Sequence, residues 1–126
     1  MYAAHQGGQS VKTLVSAPRL QYMRNGKPAT LRGLNGSASL HDKRLVLTVT
    51  NPDPSAPKEA EIVLRGATIK DVAVTTLSAK DIHAHNTFTN PRAIEPQTSP
   101  ATVKSGGALS FNFAPASVTR LQITLA

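Results

Sequence analysis

The sequence predicts an all-β chain, a two-sheet antiparallel β-sandwich of jelly-roll-like form with about seven to nine strands. Three observations lead there. Nine Pro and eight Gly punctuate the 126 residues. No window keeps an i, i+3, i+4, i+7 apolar pattern through three helical turns. Period-two alternation recurs instead, with turn residues between the alternating runs. A chain of this length is read as a single domain, residues 1–126, with room for one two-layer core.

Taken in order, residues 1–10 read as a loop through Gln6-Gly7-Gly8-Gln9. Residues 11–16 read as a first short strand stopped by Ala17-Pro18, and residues 20–23 as a second. Asn25-Gly26 suits a type I′ hairpin, because both residues accept φ > 0. Residues 29–31 would then pair back on 20–23 as a small ribbon.

The central hairpin is clearer. Residues 37–41 run into Asp42-Lys43, and residues 44–50 return. Leu45, Leu47 and Val49 alternate with Val46, Thr48 and Thr50, which puts the first three on one inward face. The proline-rich loop 51–57 ends that strand. Residues 59–64 follow, with Ala60, Ile62 and Leu64 inward. Gly66-Ala67 turns the chain into residues 68–77. There Ile69 starts an apolar series continued by Val72, Val74 and Thr76 or by Ala73 and Leu77. The phase slips near Asp71, which predicts a bulge. Residues 80–98 are the longest connection. Residues 102–104 read as an edge strand, and Ser105-Gly106-Gly107 as a turn. Leu109, Phe111 and Phe113 alternate in another strand, Pro115-Ala116 turns, and residues 118–125 close the chain with Leu121, Ile123 and Leu125 on one face.

Composition excludes several kinds of chemistry. Cysteine is absent, which removes disulfides, thiolate metal sites and a Cys nucleophile together. No apolar run is long enough for a membrane span, and the opening residues lack the basic and apolar regions of a signal peptide. The formal charge is +7, from 14 Lys+Arg against 7 Asp+Glu. Such a balance raises the question of nucleic acid. The cations are scattered, with only Lys43-Arg44 adjacent, so an evenly basic solvated surface is the preferred reading. There is no Trp, and the aromatics are Tyr2, Tyr22, Phe88, Phe111 and Phe113. That is too few rings for a base-stacking platform or a strong sugar-binding face.

Candidate chemistry is thin. Glu59 and Glu61 leave one strand face at neighbouring positions, roughly the spacing that a retaining glycosidase pair needs, about 5 Å. They alternate with Ala60 and Ile62, however, and so face water. Asp81, His83 and His85 are spaced to put three metal ligands on one side of an extended segment, with His5 or His41 as a conceivable fourth. The pattern is short and unspecific, and capping and packing hydrogen bonds are the preferred roles. No G-x-S-x-G elbow and no phosphate loop occurs. No cofactor is expected.

Three landmarks carry a family resemblance. The opening Met1-Tyr2-x-x-His5-Gln6-Gly7, the run Leu45-Val46-Leu47-Thr48-Val49-Thr50-Asn51-Pro52, and above all Asp81-Ile82-His83-Ala84-His85-Asn86-Thr87-Phe88-x-Asn90-Pro91 followed by Ile94-x-Pro96 form the pattern. The chain resembles, over essentially its whole length, the C-terminal domain of α-L-arabinofuranosidases of glycoside hydrolase family 51. The opening is similar to the segment where that family's chain leaves its catalytic barrel. The ending Pro115-Ala116-Ser117-Val118-Thr119-Arg120-Leu121 also resembles the family's.

The resemblance implies a parent enzyme that hydrolyses terminal non-reducing α-L-arabinofuranosyl residues with two catalytic Glu on a (β/α)₈ barrel. A barrel takes about 250 residues, so this chain is too short to hold one. No Glu here stands in the catalytic motifs, and no catalytic residue carries over. The implied role is an accessory sandwich that supports the barrel. The implied contact loop includes Asp81, His83, His85, Asn86, Phe88, Asn90 and Pro91. The implied partners are the barrel, an arabinose-containing polysaccharide and further copies of the parent. The family's sandwich can also take strands from the N-terminal end of the parent chain, which would leave an edge open here. The alternative is a stand-alone carbohydrate-binding sandwich.

Overall fold

A computed structural model describes residues 1–126. One 3-10 turn, Tyr2–His5, precedes eleven strands. They are β1 (Gln9–Val11), β2 (Leu20–Arg24), β3 (Lys27–Leu31), β4 (Asn35–His41), β5 (Arg44–Asn51) and β6 (Lys58–Val63). They continue with β7 (Ile69–Ser78), β8 (Gln97–Ser99), β9 (Thr102–Val103), β10 (Ala108–Phe113) and β11 (Ser117–Leu125). A six-stranded sheet runs β1-β4-β5-β11-β7-β8, a three-stranded sheet β6-β10-β9, and β2-β3 stand as a separate ribbon. Every pairing is antiparallel.

The core lies between the two larger sheets. Leu45, Leu47 and Val49 of β5, Ile69 and Val74 of β7, and Leu121 and Ile123 of β11 meet Leu109 and Phe113 of β10. Phe111 and Phe113 pack edge to face at 5.1 Å. Burying each such side chain contributes about 1.5–3 kcal/mol. β11 is the central strand, paired with β5 over Ser117–Thr124 and with β7 over the same stretch. Opposite β11, Thr124 faces Asp71 while Leu125 faces Ile69, so Lys70 is the extra residue of the bulge that the sequence predicts.

The turns follow their residues. Asn25 and Gly26 have φ of 51° and 74°, as a type I′ hairpin requires, and Asp42 opens the β4–β5 turn at 53°. The loop after β5 is held from within. The buried Asn51 donates its amide to the carbonyls of Ala56, Phe113 and Ala114 and accepts from the Asp53 N–H. The Asp53 carboxylate accepts from the N–H groups of Ser55 and Ala56 and pairs with Lys58 at 3.2 Å. Those backbone donors first, and Lys58 after them, hold its pKa down at about 2.

Four expectations need correction. Eleven strands in three sheets replace the seven to nine in two, because the ribbon stays apart and residues 97–99, the first two of them expected in the long connection, pair with β7. Residues 11–16 do not form the first strand. β1 ends at Val11, where the Thr13 hydroxyl takes the Val11 carbonyl, and Leu14 is exposed. The alternation in 11–16 is real but meets no partner strand. Residues 1–10 are not all loop, since they supply the 3-10 turn and the start of β1. Finally, β5 is buried on both faces, with Val46 and Thr48 as enclosed as the leucines. The cover on the second face is the N-terminal turn, where His5 bonds Ser39 Oγ at 2.7 Å and Thr48 Oγ1 at 2.8 Å.

Candidate functional site

The connection from β7 to β8, residues 79–96, is the longest in the fold, and it holds itself in shape by side-chain bonds to its own backbone. Its sequence explains this. Asp, Asn and Thr imitate backbone turns by bonding main-chain groups two or three residues away. The Asp81 carboxylate accepts the His83 N–H at 2.9 Å, and the Ala84 N–H donates to the Asp81 carbonyl. His85 donates Nδ1–H to the His83 carbonyl at 2.9 Å, which fixes its tautomer. Asn86 reaches eight residues ahead, accepting the Ile94 N–H at 2.7 Å and donating to the Ile94 carbonyl at 3.1 Å. This two-bond clip imitates a β-bridge and closes the loop.

Inside the clip, Thr87 and Asn90 lock the tip. The Thr87 N–H donates to the Asn90 carbonyl, and the Asn90 N–H to Thr87 Oγ1, each at 3.0 Å. Pro91 follows and keeps Asn90 out of the helical region. Between them Phe88 stands fully in solvent at 108% relative exposure, and Ile82 is 63% exposed. Arg92 and Glu95 form an exposed pair at 3.3 Å, worth little in water. The result is a braced loop that displays an aromatic ring.

All seven predicted site residues lie on this loop and are exposed. Asp81 and His83 meet at 3.2 Å, while His85 Nδ1 is spent on its own chain. No three His, Asp or Glu side chains converge on a point that would hold a metal ion. The other two histidines are elsewhere, His5 on the outer sheet face and His41 beside Asp42 at the β4–β5 turn. Capping and packing bonds are what these side chains make. Glu59 and Glu61 face water on β6, and Glu61 lies 3.7 Å from Lys104. Sequence reasoning missed the partners inside the loop, Thr87 and Ile94, although the Asn86–Ile94 spacing was present in the quoted motif.

The family model for the α-L-arabinofuranosidase C-terminal domain matches residues 1–117. The chain belongs to that family.

Solved structures agree in fold with this arabinofuranosidase C-terminal domain. An α-L-arabinofuranosidase of Thermotoga maritima, crystallised with arabinose, is 24% identical with a TM-score of 0.80, over 99% of this chain and 27% of its own. A family 51 enzyme of Bifidobacterium longum matches at 19% identity and TM-score 0.80, over 96% of this chain and 24% of its own. The family 51 enzyme of Xanthomonas axonopodis pv. citri gives 24% and 0.72, over 83% and 21%. The chain thus spans about a quarter of the length of these proteins. A search of curated proteins finds no match.

Proposed function

We propose that this arabinofuranosidase C-terminal domain is the non-catalytic accessory sandwich of an α-L-arabinofuranosidase-like glycoside hydrolase, packing against and supporting a catalytic (β/α)₈ barrel. The parent reaction is hydrolysis of terminal non-reducing α-L-arabinofuranosyl residues. The observation that carries the reading is the loop at 79–96, whose sequence resembles the family's and which braces itself while leaving Phe88 wholly in solvent. A ring left in water at the tip of an ordered loop is an interface anchor waiting for its pocket. In this reading Asp81, His83, His85, Asn86, Asn90 and Pro91 hold the loop's shape, and Phe88 and Ile82 make the contact. The uneven pairing of a six-stranded with a three-stranded sheet fits a domain completed by its parent.

The test is co-expression with an arabinofuranosidase barrel stripped of its own C-terminal domain, followed by calorimetric titration of the purified parts. Association that weakens about 30-fold in Phe88→Ser, the size of one interface anchor, is the expected result. A second outcome decides for the alternative. If barrel and chain do not associate while arabino-oligosaccharides shift the amides around Phe88 saturably, the chain is a stand-alone carbohydrate-binding module.

A further inference from the structure

The basic residues of this chain keep to water, with two exceptions. Of the 14 Lys and Arg, all but Lys58 and Arg120 are exposed. Lys58 has a counterion, Asp53 at 3.2 Å. Arg120 has none, since no carboxylate lies within ion-pair distance of it. It is half-buried, and its Nε is enclosed without an acceptor, the one side-chain atom of the chain so placed. Its one hydrogen bond is long, from a terminal nitrogen to Thr75 Oγ1 at 3.5 Å. Enclosing a charged donor without a partner costs free energy, so the fold itself gains nothing from this group.

Register places Arg120 in the middle of the outer face of the six-stranded sheet. Leu121 and Ile123 belong to the core, so Arg120 and Gln122 point away from it. Arg120 stands between Thr48 of β5 and Thr75 of β7. Thr48 is bonded from above by His5, on which Tyr2, 54% exposed, stacks with ring centroids 6.3 Å apart. On the other side Thr75 pairs with Thr98 of β8, and both strands lead into the loop at 79–96. The one acid on this face, Asp71, lies opposite Thr124, about 13 Å further along the sheet. There Arg44, on the other side of Thr124, is its nearer cation.

We infer that Arg120 is the recognition residue of a second contact with the catalytic barrel: the outer face of β11, β7 and β8 docks there, and a barrel Asp or Glu pairs with the guanidinium. The inference rests on the accessory-domain reading and names where a charged contact lies within it. Only the long bond to Thr75 holds the guanidinium down, so the side chain lifts on docking and presents Nε with a terminal nitrogen. That fork takes a carboxylate bidentately, which satisfies the orphaned donor and the charge together. Tyr and Arg are both enriched at protein interfaces, and here Tyr2 and Arg120 share one face. An arabinosyl group is neutral and would leave the charge uncompensated. A nucleic acid would need a row of cations to follow its phosphates, where this face centres on one.

The experiment is calorimetric titration of the whole chain with the stripped arabinofuranosidase barrel, beside urea unfolding of the chain alone. Arg120→Met keeps an aliphatic stem and removes the charged fork. It is expected to weaken association at least about tenfold, as loss of a desolvated interfacial charge pair does. The urea midpoint of the free chain should stay level or rise, because no partnered charge is lost. Arg65→Met, at an exposed arginine just after β6, leaves both readings unchanged. Association indifferent to Arg120→Met overturns the inference and leaves the accessory-domain reading standing. Failure of the unsubstituted chain to associate removes both. Three further results overturn the inference alone. A lowered midpoint in Arg120→Met would show that the arginine serves the fold. Equal loss of association from Arg65→Met would show a general charge effect. Saturable shifts of the Arg120 Nε resonance with arabino-oligosaccharides, or a dimer of the free chain that Arg120→Met dissolves, would give the face to another occupant.

Discussion

The side-chain amide of Asn51, at the end of β5, donates to the main-chain carbonyl of Phe113, at the end of β10, at 3.2 Å. The two residues lie in different sheets and 62 positions apart, so one buried amide ties the layers together where the hydrophobic core ends. It also bonds Ala56 and Ala114 at 3.0 Å each. Truncating it leaves enclosed carbonyls without donors.

Asn51→Ala is therefore expected to cost about 3 kcal/mol, the price of orphaning buried polar groups. Urea unfolding followed by circular dichroism checks this. The midpoint should fall while the slope with denaturant stays that of the parent chain, because the buried surface is unchanged.

Asp53 makes acid stability predictable in sign. Its pKa in the folded chain is about 2 against an ordinary 3.8. A carboxyl whose folded pKa is depressed stabilises the fold above its unfolded pKa, and the contribution is lost as pH falls through the folded one. The contribution is thus fully present above pH 3.8 and fades between pH 3.8 and about 2. In Asp53→Asn the part of the acid limb due to this group should vanish, so thermal midpoints measured at half-unit steps converge with those of the parent near pH 2. Parallel curves would remove Asp53 from the account.

Gly107 is required by space rather than by dihedral angle. A Cβ there would lie 2.5 Å from the carbonyl oxygens of Leu64 and Ala67, both backbone atoms that cannot swing away. Gly107→Ala should cost about 1–3 kcal/mol through overpacking. Gly26 offers the contrast, with nothing near its missing Cβ but a φ of 74°. Gly26→Ala should cost only about 1 kcal/mol of left-handed strain. Comparing the two melting curves separates crowding from conformation.

Asn86→Ala should act locally. The clip to Ile94 lies in an exposed loop, so global stability should change by less than about 0.5 kcal/mol. Exchange of the Ile94 amide with deuterium should accelerate, as should tryptic cleavage after Arg92, while amides of β11 keep their protection. Acceleration spread over the whole chain would show instead that the loop supports the sandwich.

Much of this was legible in advance because its causes are local. The Asn25-Gly26 and Asp42-Lys43 turns, the inward series Leu45-Leu47-Val49 and Leu121-Ile123, and the slip at Asp71 each follow from a few neighbouring residues. The water-facing position of Glu59 and Glu61 was legible for the same reason. The loop's membership was read from its motif. Its inner bonds were not, since Asn86 could have served any backbone group until the chain brought Ile94 to it.

The sequence by itself determined the strand-forming runs, their turns and the faces they would bury, because alternation and turn chemistry are written residue by residue. Tertiary structure decided what lies against what. Val46 and Thr48 look like outward residues, yet they are buried, and His5, more than 40 positions earlier, bridges Ser39 and Thr48 on that face. Residues 11–16 alternate like a strand and remain outside one, because no neighbour offers its edge. Pattern fixes which groups can be buried or paired. Whether they are depends on partners from distant parts of the chain, and those contacts form only when the chain folds as a whole.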